Sequence, residues 1–163
     1  MTTYPGPLVR RITVNIGDVI VSSEPVILQT LLGSCVSACV WDDEVRVGGM
    51  NHFMVPKITQ ETDSSHCGPE AVRRLLKELT AAGADIRRLR AKLFGGGKML
   101  REFTENLDIG KENVRVAREL LEEYNIPIVK EFTCTDFGIK VLFCTANGRA
   151  FVKKLEQIQD RHD

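Results

Sequence analysis

The sequence predicts a mixed α/β domain built in layers, and three observations predict it. Short β-branched or apolar stretches recur in both halves of the chain, punctuated by Gly, Pro and Asp. Two longer segments carry apolar residues at helical spacing. The two kinds of segment do not alternate in the regular way that a wholly parallel sheet requires.

Residues 11–16 (RITVNI), 26–30 (VILQT), 36–41 (VSACVW) and 45–50 (VRVGGM) read as strands. From Gly68-Pro69-Glu70, positions Val72, Leu75, Leu76, Leu79 and Ala82 share one face until Gly83. Proline near the start and glycine at the end mark a helix. Residues 86–94 (IRRLRAKLF) alternate and are expected to form a strand running into Gly95-Gly96-Gly97. A second helix is expected over 111–124, with Val114, Ala117, Leu120, Leu121 and Tyr124 on its apolar face and Asn125 and Pro127 stopping it. Strands follow over 127–133 and 139–145, and Asn147-Gly148 suggests a tight hairpin turn into 150–155. With 163 residues, no repeat and no linker, one domain is expected over 1–163, its polar tail fraying from Gln157.

Lysine plus arginine equals aspartate plus glutamate at 22 each, so net charge supplies no pull toward nucleic acid. No apolar run is long enough for membrane insertion, and the start lacks the features of a secretory signal. A cytoplasmic location is expected. Five cysteines form an odd set without a secreted context, which favours thiols over a disulfide framework.

One of those thiols stands in a useful place. In Thr30-Leu31-Leu32-Gly33-Ser34-Cys35, a strand runs into a Gly-Ser turn that puts Cys35 at the head of the next strand. Backbone N–H groups around Gly33 and Ser34 can then lower the thiol pKa and hold an oxyanion. Burial as a small hydrophobe is the commoner fate of such a cysteine. In Gly48-Gly49-Met50-Asn51-His52, the histidine follows a strand expected to pair with the cysteine's own across the turn Asp42-Asp43-Glu44. A hairpin brings Cys35 and His52 to the same end of the sheet, where an imidazole suits proton transfer. A core histidine satisfied by a carbonyl is the bland alternative.

LLGSCVSACVWD followed by VGGMNHFMVP resembles the chemoreceptor glutamine deamidase family, CheD, and the likeness continues through AKLFGGGKM (91–99), IGKENV (109–114) and KVLFCTANGRAFVKKL (140–155). The resemblance implies a sandwich of mixed sheets with helices packed outside. It also implies Cys35 as nucleophile and His52 as its partner, with no cofactor and no metal. The implied partners are the cytoplasmic helices of methyl-accepting chemoreceptors and a CheC-type phosphatase. Some members carry the third member of the triad, a threonine, six positions before the cysteine. Gln29 stands there in this chain, and Thr30 follows it. Adjacent strand residues face opposite ways, so only one of them can reach His52, and Thr30 is expected because it has the hydroxyl. A second departure is Asp136-Phe137-Gly138-Ile139-Lys140, where relatives often place Gly-Arg before the lysine.

Other readings compete. A zinc site from Cys35, Cys39, His52 and His66-Cys67 has suitable ligand types but not the usual ligand spacing. A noncatalytic module that binds a phosphatase would keep the fold without the chemistry. Gly95-Gly96-Gly97-Lys98 lacks the spacing of a phosphate loop, and Met99 stands where a magnesium-binding hydroxyl belongs.

Overall fold

Strand alternation sets two sheets face to face in the computed structural model, which describes residues 9–57, 64–98 and 108–156. The first sheet has the order β1-β3-β8-β9, from Arg11–Thr13, Ile27–Leu32, Ile139–Cys144 and Ala150–Lys154. The second runs β2-β5-β4-β6-β7, from Val19–Ser22, Val47–Asn51, Val36–Asp42, Arg90–Gly95 and Ile128–Thr133. Two helices, α1 (Gly68–Ala81) and α2 (Ile109–Glu123), pack on the second sheet. The layers are thus sheet, sheet and helices, with both helices on one side.

Two cores follow from period-two alternation. Leu28, Leu32, Val141 and Phe143 of the first sheet meet Cys39, Trp41, Met50 and Phe94 of the second. Val36, Ala38, Val40, Ala91 and Leu93 turn the other way, under Leu75 and Leu79 of α1 and Val114, Ala117 and Leu121 of α2. Strand β4 therefore lies between two cores and is buried along its whole length, which explains why Val36, Ala38, Cys39, Val40 and Trp41 are apolar on both faces.

The differences from expectation are local. Strand β2 was not expected; it has only four residues, all half-buried, too few for a clear period. Residues 86–88 form a 3-10 turn rather than the start of a strand, because Asp85 accepts from the Arg87 amide and caps the turn. Asn147-Gly148 does not make a two-residue hairpin: β8 ends at Cys144 and β9 begins at Ala150, leaving five residues in the loop. Of the pair, only Gly148 has positive φ, at 75°. The tail from Gln157 lies outside the described residues.

The Asp42 carboxylate is fully buried. It accepts from Arg88 Nε at 3.0 Å, from the Asp85 amide at 2.9 Å and from the Glu44 amide at 3.1 Å. Burial pushes its pKa up, but the Arg88 guanidinium and the two amides outweigh burial and hold the carboxyl below its usual range. Asp42→Ala leaves both amides without their acceptor and is expected to cost about 2 kcal/mol at neutral pH, read from urea unfolding. A depressed folded pKa gives stability that is present above the unfolded value and lost as pH falls through the folded one. The gap between wild type and Asp42→Ala should accordingly narrow below about pH 4.

Candidate active site

Thr30 on β3 and His52 just after β5 point inward from opposite sheets and meet between them. Thr30 is 3 % exposed and His52 5 %. Thr30 Oγ1 lies 2.8 Å from His52 Nδ1 and 2.7 Å from the Val14 carbonyl, which also lies 3.2 Å from Nδ1. A carbonyl only accepts, so the Thr30 hydroxyl donates to Val14 and must accept from the ring. Nδ1 therefore carries the proton, and Nε2 holds a lone pair. That Nε2 is buried and has no hydrogen-bond partner. Gln29 points the other way and donates to Thr13 Oγ1 at 3.1 Å.

Cys35 reaches the same region through strand register. Val36 and Phe53 exchange two backbone hydrogen bonds, each of 3.0 Å, and both side chains face the helices. Cys35 and His52 flank that pair and turn to the opposite side, as diagonal neighbours across the ladder. Cys35 is half-buried at the margin of the inter-sheet core. No hydrogen bond joins its sulfur to Nε2.

The turn that carries Cys35 is pinned from below. Gly97 N donates to the Gly33 carbonyl at 2.8 Å and Gly96 N to the Cys35 carbonyl at 2.8 Å. Asn113 Nδ2 on α2 donates to the Ser34 carbonyl at 3.1 Å and to the Met54 carbonyl at 3.1 Å. The glycine loop needs its glycines for this approach. Gly95 has φ 101°, and a β-carbon there would strike the Cys35 carbonyl oxygen. The triple glycine thus supports the cysteine turn, and it is the turn's carbonyls that it contacts.

Thr30 and His52 open onto a cleft of about 560 Å³ whose mouth is formed by Ile16, Leu31, Met54 and His66. Leu31 is 58 % exposed, Ile16 44 % and Met54 38 %, and no lining residue is Asp, Glu, Lys or Arg. His66, which the sequence offers only as a zinc ligand, lines the cleft, while Cys67 beside it is buried at the start of α1. Among the described residues no three His, Cys, Asp or Glu side chains converge as a metal site would need.

Burial lowers the His52 pKa from its usual 6.5; the Val14 carbonyl and Asp18 partly restore it, and His66 opposes them. The neutral ring therefore persists below pH 6.5 in the folded chain, while an unfolded chain takes up its proton there first, so acidification through this range costs stability. If neutral His52 is the working base, kcat/KM stays level as pH falls to about 6.5 and drops only beneath it. A pH–rate profile checks this, and an acid limb centred above the usual histidine value would contradict it.

Val14 and Asn113 escape sequence reasoning, and of Gly96 and Gly97 the sequence shows the presence but not the purpose. Val14 and the glycines act through backbone atoms, which leave no side-chain signature. Asn113 did leave one, as a polar residue on the apolar stripe of α2 between Gly110 and Ala117.

The family profile described as CheD chemotactic sensory transduction matches residues 54–154. A protein of Anaeromyxobacter dehalogenans named "Probable chemoreceptor glutamine deamidase CheD 1" is 37 % identical over 145 residues, covering 89 % of this chain and 85 % of its own length. That match takes in both Cys35 and His52 wherever its ends fall. Proteins named "Probable chemoreceptor glutamine deamidase CheD" from Laribacter hongkongensis and Thiobacillus denitrificans are 33 % and 38 % identical, covering 89 % and 88 % of this chain and 72 % and 73 % of their own lengths. A crystal structure of the hypothetical protein YfiH of Bacillus licheniformis superposes with a TM-score of 0.50 at 14 % identity, over 72 % of this chain and 51 % of that one, a likeness of fold alone. Matched by the profile over most of its length and by relatives along nearly all of it, the chain belongs to the CheD family.

Proposed function

We propose that this chain is a protein-glutamine deamidase that converts glutamines of methyl-accepting chemoreceptors to glutamate, with Cys35 as nucleophile and His52 as proton carrier. The observation that carries the chemistry is the lone pair at His52 Nε2, buried, unpartnered and on the same face as Cys35. Nε2 takes the thiol proton as sulfur attacks the side-chain carboxamide, and returns it to the departing ammonia. Water then gives its proton to Nε2 and cleaves the thioester. Glutamate and the thiol are the products.

The cleft supports a neutral substrate. Its walls carry no Asp, Glu, Lys or Arg side chain, and its exposed Leu31, Ile16 and Met54 suit the apolar edge of a receptor helix. Gly33 and Ser34 belong to the same reading, as the turn whose amides stabilise the tetrahedral oxyanion. The family resemblance adds a CheC-type phosphatase as partner, which co-purification with the chromosomally encoded phosphatase examines.

The test is mass spectrometry of receptor cytoplasmic fragments after incubation with the protein. A gain of about 1 Da at discrete glutamines, absent with protein alkylated at Cys35, is the expected result. Fragments left unchanged by the unmodified protein would overturn the reading.

A further inference from the structure

We propose that Asn113 is a positioning residue for the nucleophile: its carboxamide holds the Ser34–Cys35 peptide in the orientation the reaction needs. The inference deepens the deamidase reading and rests on it. A trans peptide is planar, with its C=O and N–H directed oppositely. Three consecutive peptides of the turn are held by their carbonyls. Gly97 N holds the one after Gly33, Asn113 Nδ2 the one after Ser34, and Gly96 N the one after Cys35. Among the described residues, only the middle one is held by a side chain. Because the Ser34 carbonyl points at α2, the Cys35 N–H is turned away from α2, toward the side on which the Cys35 thiol packs. An N–H so directed favours a thiolate beside it and faces the carbonyl oxygen of a bound carboxamide.

The same nitrogen spends its second hydrogen on the Met54 carbonyl, two residues beyond His52. One amide group therefore ties the cysteine turn to the histidine segment. Packing alone does not account for this residue. Asn113 is fully buried on the apolar stripe of α2, and its Oδ1 is buried without a partner. Leucine would fill the stripe without that unsatisfied oxygen, so the two donated hydrogen bonds are what the position supplies.

Asn113→Leu keeps apolar volume and deletes both donors; Asn113→Ser keeps one and serves if the leucine variant does not fold. Leu121→Ala, in the same buried stripe two helical turns further along, reports the effect of destabilising α2. Each is studied in the full chain at a temperature where urea unfolding shows it folded. The expected result for Asn113→Leu is a kcat about tenfold lower with KM within about threefold, and slower iodoacetamide labelling of the Cys35 peptide with a higher pH midpoint. Asn113→Ser falls between, and Leu121→Ala retains both the wild-type kcat and labelling profile. A wild-type labelling profile and kcat in Asn113→Leu, or equal losses in Leu121→Ala, would overturn the proposal. Should the wild-type protein leave receptor fragments unchanged, the deamidase reading falls alone, because labelling still decides whether Asn113 positions Cys35.

Discussion

Cys35→Ala is expected to lower conversion of receptor glutamine to glutamate by about 10⁴-fold or more, to the level of the uncatalysed background. His52→Ala should cost about as much, and the double variant no more than either alone. In the proposed mechanism sulfur and imidazole act as one unit. Without His52 no base takes the thiol proton as sulfur attacks, and without Cys35 the lone pair at Nε2 has no attacking atom to activate. Stability separates this outcome from misfolding. Cys35 is half-buried at the edge of the inter-sheet core, so its truncation should shift the unfolding midpoint little. His52 is buried, and its ring is held by Thr30 and Val14, so its removal should be felt in both measurements. Initial rates by mass spectrometry, alongside urea unfolding, check the pair. Deamidation by Cys35→Ala at near the wild-type rate would end the nucleophile assignment. Losses that multiply in the double variant would show that the two residues act independently.

How much of this arrangement could be read in advance depends on what kind of atom carries it. Cys35 and His52 are side chains at the ends of two strands joined by a short charged turn, so strand pairing alone predicts their approach. The observed pairing of Val36 with Phe53 supplies the register. The helices announced themselves through apolar periodicity, and α1 ends within a residue or two of its expected stop at Gly83. Choosing between Gln29 and Thr30 needed the inward phase of β3, and Thr30 sits inward because Leu28 and Leu32 on either side of it face the inter-sheet core. What sequence could not supply was the backbone: the Val14 carbonyl, the Gly96 and Gly97 amides, and the short β2 whose four residues carry no distinct pattern. The glycine triplet is plain in the sequence, but its purpose is not. Its partner is the turn bearing Cys35, about sixty residues earlier in the chain, and only the folded register brings the two together.

Thr30→Val is expected to reduce kcat by about a hundredfold, well short of the loss at Cys35. The substitution keeps the shape and removes the hydroxyl that accepts from Nδ1. In a serine protease, replacing the triad's acid by its amide costs about 10⁴-fold, because the amide can stabilise the wrong histidine tautomer. That failure has no counterpart here. The Val14 carbonyl lies 3.2 Å from Nδ1 and can only accept, so it continues to demand a proton on that nitrogen. With valine at position 30 the correct tautomer survives, and the loss is one of orientation: the ring keeps one longer hydrogen bond instead of two partners. The His52 pKa should also stay low, since burial is the main cause of its depression and valine preserves burial. The expected signature is therefore a lower kcat with the acid limb of the pH–rate profile unmoved. Thr30→Ser, which retains the hydroxyl, should recover most of the rate. A loss as large as that of His52→Ala would mean that Val14 cannot hold the tautomer alone. Full activity in Thr30→Val would mean that Val14, a backbone carbonyl invisible in the sequence, is the group that orients the base.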